Sequence, residues 1–214
     1  ASPSYEGSDH HNVEPIPIVQ ARIDGVTVSP RAGGVAFDFI ADGKNPKVGF
    51  SLGPVASYSR NRAHSIGDPV VKAAGRLKSA VDLGVSGGVT VFRAFSPYDS
   101  LTLGADVKWN VNSASKGMTI YPQLTYVTPV SRAMLVTVGV IAEHGDSDYN
   151  HYYFDVTPKQ SLASGLPVYP AHSGWNSVGA NLLVGYDLDG NLLNGGFAIF
   201  ALGAYSKMLG DAKD

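Results

Sequence analysis

The chain has 214 residues, of which 44% are hydrophobic and only 16% charged, and its formal net charge is −2. The low charge, the 25 glycines and the lack of any apolar run of 18 residues exclude a disordered chain, a coiled coil and a helical membrane protein. The charge balance provides no basic field for nucleic acid, and a chain without cysteine forms no disulfide or thiol site. An all-β protein remains, either a soluble barrel or a membrane barrel.

Alternation of apolar and polar residues with a period of two predicts about nine strands, separated by turns rich in Gly, Pro, Asn and Asp. In chain order these predicted strands are residues 15–24, 35–40, 48–58, 81–91, 101–111, 118–128, 132–143, 175–187 and 196–209. Residues 26–40 admit a second interpretation, as two short strands. Asp68 followed by Pro69 is typical of a helix start and predicts a short helix, residues 70–77, within one loop.

The predicted connections differ strongly in length. Residues 128–132 and 187–194 form short turns, whereas residues 60–78 and 144–174 form long excursions. Barrels of the bacterial outer membrane have short periplasmic turns and long external loops. The pattern therefore favours a membrane barrel.

The polar faces of the strands separate the two kinds of barrel further. In residues 101–111, Leu103, Val107 and Trp109 share one face, and small or polar residues occupy the other. A Lys or Arg on a lipid-facing surface at mid-bilayer would cost about 2–4 kcal/mol. The strand charges all lie off the apolar face: Arg22, Asp24, Asp38, Asp82, Asp106, Lys108 and Glu143. We therefore predict an antiparallel transmembrane β-barrel whose lumen contains the polar residues Asp82, Asp106 and Lys108.

Aromatic residues on the apolar face support the same interpretation. Tyr58, Trp109 and Tyr205 lie near one end of their strands, and Tyr126 and Tyr186 lie near the other. Two such girdles are typical of membrane barrels, although Tyr and Trp also have an ordinary preference for strands. A soluble, lipocalin-like barrel stays open as an alternative.

No catalytic arrangement stands out. Residues 84–88 match G-x-S-x-G by letter, but a nucleophile elbow needs a turn and a helix, and here the alternation of a strand continues beyond Ser86. All six histidines fall in predicted loops, so the predicted strands contain none. His144, Asp146, Asp148 and His151 could bind a divalent cation, but their spacing matches no strong motif. We predict no enzyme activity, no metal and no cofactor.

The chain resembles the MltA-interacting protein family, also called MipA/OmpV. Residues 152–158, Tyr-Tyr-Phe-Asp-Val-Thr-Pro, with Ser161, residues 164–166 and Tyr169, are similar to the family's Tyr-Phe-Gly-Val-Thr segment and its Ser-x-x-Ser-Gly-Leu-x-x-Tyr continuation. Asp155 departs from the usual Gly. Weaker matches are spread over nearly the whole chain: Pro3, Tyr5, Gly7, Ser8, Pro15, Pro17, Gly53, Pro54, Tyr58, Arg60, Arg62, Tyr205, Leu209, Asp211 and Ala212.

The resemblance implies a single outer-membrane barrel over residues 1–214, with 10 to 12 strands when complete and with its first and last strands outside this sequence. It implies a Gram-negative outer-membrane scaffold for cell-wall growth, in contact with outer-membrane lipid. Its partners would be a murein lytic transglycosylase and a bifunctional penicillin-binding protein, with no nucleic acid. A channel, a small-molecule-binding barrel or an adhesin is the alternative. The family has no agreed catalytic residues, so none are assigned.

The predicted loop of residues 144–174 is unusually aromatic, with Tyr149, Tyr152, Tyr153, Phe154 and Tyr169. Disordered segments are poor in aromatic residues. Burial of one such ring contributes about 1.5–3 kcal/mol, enough to offset part of the entropy of ordering a loop. We predict an ordered lid over one barrel mouth, with Phe154 or Tyr153 packed inward. The same residues could instead form a surface for a partner.

Overall fold

The computed structural model describes residues 2–3, 11–12, 21–23, 26–31, 33–43, 45–59, 69–112, 114–191 and 197–213. The strands are β1 (Ser2–Pro3), β2 (His11–Asn12), β3 (Ala21–Ile23), β4 (Val26–Arg31), β5 (Gly34–Asp38), β6 (Val48–Ser59), β7 (Ala80–Phe92), β8 (Ser100–Asn110), β9 (Met118–Pro129), β10 (Met134–Gly145), β11 (Gly174–Asp187) and β12 (Ala198–Met208). The helices are α1 (Pro69–Ala74), α2 (Ser147–Phe154) and α3 (Pro158–Ser164), and a 3₁₀ turn spans Gly210–Ala212.

One sheet contains nearly all of the described strands. It runs in the order β12-β11-β10-β9-β8-β7-β6-β5-β4-β3, so each strand pairs with its neighbour in sequence, and every pairing is antiparallel. Nine of its strands have five residues or more, and β3 has three. β1 and β2 pair separately. The predicted all-β, antiparallel fold with a short helix in a loop is confirmed.

The sheet is curled rather than flat. β4 and β8 are four strand spacings apart, which would be about 19 Å in a flat sheet, yet the side chains of Arg31 and Asp106 meet at 2.7 Å. A Cβ at Gly53 would lie 2.0 Å from the carbonyl oxygen of Phe37, and one at Gly84 would lie 1.9 Å from that of Val107. Such close backbone approach is typical of the glycine corners that bend a barrel wall.

The two faces of the curled sheet differ as the alternation predicts. On the convex face, Leu103 is 63% exposed and its cross-strand neighbour Leu124 is also exposed. On the concave face, Asp106 and Glu143 are buried, Glu143 being only 6% exposed. Water-soluble domains have the opposite distribution, with apolar side chains inside. Among the described residues, no helix is long and apolar enough to cross a membrane.

Most predicted strand bounds agree with the structure within two residues, but some predictions need correction. Residues 26–40 form two short strands, β4 and β5, which is the second interpretation. The predicted helix begins at Pro69 and ends at Ala74 instead of Leu77, and Asp68 lies outside the described residues. Of the predicted strand 15–24, only Ala21–Ile23 is described. The prediction that strands contain no histidine is wrong, because β2 includes His11 and because β10 extends past Glu143 and includes His144.

Candidate functional site

The two ends of the sheet carry connections of different kinds. At one end, here called the loop end, lie α1, residues 111–112, 114–117 and 146–173, and the 3₁₀ turn. At the other, the turn end, lie residues 39–43, 45–47, 93–99, 130–133 and 188–191. The concave face between these ends carries the predicted lumen residues.

A side-chain cluster bridges distant strands across the concave face. The Arg31 guanidinium on β4 donates from Nε to Asp106 Oδ2 on β8 at 2.7 Å and from Nη2 to Ser86 Oγ on β7 at 3.1 Å. Asp106 Oδ1 is buried and has no partner among the described residues. Ser86 lies inside the continuous strand β7 and accepts from Arg31, so its G-x-S-x-G letters form no nucleophile elbow.

Lys108 extends this cluster. Its Nζ donates to Ser57 Oγ on β6 at 3.1 Å and lies 4.1 Å from the ring centroid of Tyr121 on β9. The third predicted lumen residue, Asp82, accepts from Asn110 Nδ2 at 3.0 Å, nearer to the loop end. The structure therefore brings Asp106 and Lys108 into one cluster, here called the lumen cluster, with Asp82 beside it.

A second polar group connects the lumen to the loop end. A bulge in the pairing of β10 with β11 places Asn176 beside Glu143, and both side chains are buried. Asn176 Nδ2 donates to Asn150 Oδ1 on α2 at 2.8 Å and lies 3.5 Å from Glu143 Oε1. The hydroxyls of Tyr149 and Tyr121 also form hydrogen bonds with Glu143. Glu143 thus joins α2 to the wall.

The start of α2 is fixed to β9 by its cap. Asp146 is the N-cap residue, and its Oδ1 accepts from the Tyr149 amide at 2.9 Å. Its Oδ2 accepts from the Met118 amide at 2.8 Å. A Cβ at Gly117 would lie 2.3 Å from the Tyr149 amide nitrogen, so α2 can approach this strand end only because residue 117 lacks a side chain.

The aromatic residues of this loop pack against the chain itself. Tyr153 is 3% exposed, and its ring contacts those of Tyr149, Tyr152 and Phe154 with centroid distances between 4.5 and 6.4 Å. Tyr152 Oη accepts from the Lys78 amide at 2.8 Å. Tyr169 pairs with Val156 in an isolated bridge. None of the five aromatic side chains is fully exposed. Whether they act as a lid or as a partner surface stays a prediction.

Contacts of His172 hold the end of the same loop to the 3₁₀ turn. The His172 amide donates to Asp211 Oδ2 at 2.6 Å, and its carbonyl accepts from Asn150 Nδ2. The hydrogen bond from the His172 amide, together with one from Tyr169, lowers the pKa of Asp211 below its ordinary value. Asp155 similarly accepts from the Ala171 amide at 2.7 Å and from His151.

The four residues considered for a cation do not form a site. Asp146 serves as a helix cap, His151 pairs with Asp155, and the His144 ring packs edge-on against Trp175. Within the described part of the chain, no group of three or more His, Asp or Glu residues is placed to hold a metal ion.

At the turn end, residues 93–99 form a tightly bonded turn that the sequence did not single out. Asp99 is buried and accepts from the Ser96 amide at 2.9 Å and from Tyr126 Oη at 2.8 Å. Burial acts to raise the pKa of Asp99, but these bonds and that from the Phe95 amide outweigh it, so the pKa is lowered. Arg93, in the left-handed region with φ 55°, donates to the Pro46 carbonyl at 2.9 Å.

Two aromatic rings of this turn are among the most exposed large hydrophobic side chains of the described chain. Phe95 is 79% exposed and Tyr98 is 80% exposed. The only sequence signal for them is a pair of aromatic residues around Ser-Pro between two strands. Arg31, Asn150 and Asn176 were also missed by sequence reasoning.

A family model described as MltA-interacting protein MipA matches residues 1–214, which confirms the resemblance. No curated protein and no solved structure matches the chain.

Proposed function

Since the chain belongs to the MltA-interacting protein family, we propose that it is a non-enzymatic scaffold of the Gram-negative outer membrane. As a single barrel domain it binds a murein lytic transglycosylase and links it to a bifunctional penicillin-binding protein. The observation that carries this proposal is the family match over the whole chain, because the family is described as interacting with MltA.

The distribution of side chains supports a place in a membrane. Exposed apolar residues cover the convex face, and Tyr58, Trp109 and Tyr205 lie exposed near the loop end of that face. Tyr186 is exposed near the turn end, and Phe95 packs on Tyr126 there. Lipid would cover this apolar surface, and interfacial aromatics would mark its two borders.

The hydrogen bonds of the lumen cluster support a structural rather than a catalytic role for the concave face. Arg31, Asp106 and Lys108 form hydrogen bonds that bridge strands. A hydrolase would need a nucleophile within reach of a base. Ser86 instead contacts a guanidinium, which is no general base at neutral pH. The proposed activity therefore lies on the protein's surface.

Capture of the partner from solution tests the proposed scaffold function. The full chain is inserted into phospholipid nanodiscs and titrated with a purified murein lytic transglycosylase, with empty nanodiscs as the control. We expect saturable binding that the empty discs lack. Equal signals from loaded and empty discs would overturn the proposal.

A channel is the second candidate, favoured by the polar concave face and by Asp106 Oδ1, which has no hydrogen-bond partner within the described part of the chain. Cross-strand bridges oppose it, since they place side chains across the lumen. Planar-bilayer recording separates the two. A scaffold with a blocked lumen gives no steady conductance, whereas reproducible single-channel steps would favour the channel.

A further inference from the structure

We propose that the lumen contains an ion pathway for small monovalent cations and that the ion pair between Arg31 and Asp106 holds this pathway closed. The proposal goes beyond the scaffold function, since it concerns the concave face and needs no protein partner. It shares with the proposed function only the place of the curled sheet in the outer membrane.

The size of the sheet gives the first step. A barrel of about eight strands has an interior that side chains fill, whereas about 16 to 18 strands leave an aqueous channel. The sheet has ten strands, and its curl brings β4 within side-chain reach of β8. In a lumen of this size, a few side chains that cross it decide whether ions can pass.

The pair of Arg31 and Asp106 crosses the concave face between strands that are four positions apart in the sheet. Arg31 Nε donates to Asp106 Oδ2 at 2.7 Å, and Arg31 Nη2 donates to Ser86 Oγ on β7, between the two strands, at 3.1 Å. The Asp106 side chain is only 6% exposed, so this contact leaves little space for water. An ion that loses its water without gaining other ligands meets a high barrier.

The charges around the pair favour cations over anions. Three carboxylates interact electrostatically with the Lys108 ammonium, namely those of Asp82, Asp106 and Glu143. The Arg31 guanidinium is the second cation that acts on Lys108. Without Arg31, three carboxylates would face one ammonium. A pore lined by an excess of carboxylates selects cations.

The helix α2 is a weaker candidate for the barrier. It packs on β9, β10 and the 3₁₀ turn, and Asn176 on β11 donates to Asn150 of the helix. These contacts fix α2 to the ends of neighbouring strands on one side of the sheet. The pair of Arg31 and Asp106 instead joins β4 to β8 across the concave face.

Planar-bilayer recording of the full chain in KCl tests the barrier. We expect no steady conductance from the unaltered chain and reproducible single-channel steps from Arg31→Ala, because this variant removes the side chain that crosses the lumen. The double variant Arg31→Asp with Asp106→Arg restores an ion pair between the same strands and should be silent again. Vesicle flotation and β-sheet circular dichroism confirm that each variant is inserted and folded.

A KCl gradient across the bilayer distinguishes a cation pathway from an unselective leak. Asp106→Ala breaks the same pair but removes a carboxylate instead of a guanidinium, so its lumen is more positive than that of Arg31→Ala by two charges. We expect the reversal potential of Arg31→Ala to lie closer to that of K⁺. Equal reversal potentials for the two variants would contradict the cation pathway.

The other outcomes separate this inference from the proposed function. Steady conductance of the unaltered chain would overturn the barrier, and so would a silent Arg31→Ala that is inserted and folded. Conductance of the double variant at the level of Arg31→Ala would also overturn it. The scaffold function is judged by the separate titration with the lytic transglycosylase. If the unaltered chain fails that titration but Arg31→Ala conducts cations, the scaffold is wrong and the ion pathway stands.

Discussion

Asp106 is a buried carboxylate whose only ion pair among the described residues is with Arg31. Removal of one partner of such a pair leaves an uncompensated charge, so we expect Arg31→Met to lower the free energy of unfolding by about 3 kcal/mol. Urea unfolding in detergent micelles measures this change in the free energy of unfolding. Lys47→Met, which alters an exposed cation, is the control. A loss below about 1 kcal/mol, typical of a surface pair, would contradict the role of this bridge.

Asp211 makes the attachment of the aromatic loop dependent on pH. Its pKa is lowered in the folded protein, so its stabilising contribution is complete above the ordinary value of about 3.9. It is lost as the pH falls through the lowered value. At pH 7 we expect Asp211→Asn to speed hydrogen exchange at the His172 amide. Asp189→Asn, at the turn end, should leave the exchange rate of the His172 amide unchanged. If the difference in this rate between Asp211→Asn and the unaltered chain did not depend on pH, the assignment to Asp211 would be contradicted.

At the residue scale, alternation alone located the concave-face residues Asp82, Asp106 and Lys108. It missed Asn176 because a bulge shifts the parity of β11 at that point, and a period-two pattern cannot show a bulge. It missed Arg31 because the first interpretation of residues 26–40 began the strand at residue 35, after β4 had ended. Contacts between strands that are distant in sequence depend on curvature, which the sequence pattern does not encode.

At the element scale, the position of α2 depends on the lack of a side chain at residue 117. We expect Gly117→Ala to cost about 1–3 kcal/mol through overpacking against the Tyr149 backbone. Limited proteolysis of the folded protein should then cut faster between residues 149 and 166. Gly174→Ala is the matched control, since a Cβ there meets nothing within 4 Å. Equal cleavage rates for the two variants would show that α2 is placed by other contacts.

The long strands were predictable and the loop helices were not. β6 to β11 repeat the alternation over eleven or more residues, which leaves little freedom in their placement. α2 and α3 lie inside what the sequence shows only as an aromatic loop. Each has a local cap, Asp146 and Thr157, but both helices are short, and isolated helices of that length are marginal in water. α2 packs on the ends of β9 and β10, and α3 lies against α1.

At the scale of the whole molecule, the asymmetry between the two ends carries the functional interpretation. The loop end is fixed by Glu143, Asn176 and Asp211, and the turn end presents Tyr98. An all-β fold with an apolar convex face followed from composition and alternation. If the protein lies in the outer membrane as proposed, the orientation of the curled sheet decides which of its ends faces the periplasm.

Labelling of single cysteines by a large, membrane-impermeant maleimide tests that orientation most directly, since the chain has no cysteine of its own. Pro97→Cys places the thiol in the turn of residues 93–99, and Ala163→Cys places it on α3, both at exposed positions. We expect Ala163→Cys to be labelled in intact cells and Pro97→Cys only after the outer membrane is permeabilised. Labelling of Pro97→Cys in intact cells would contradict the orientation.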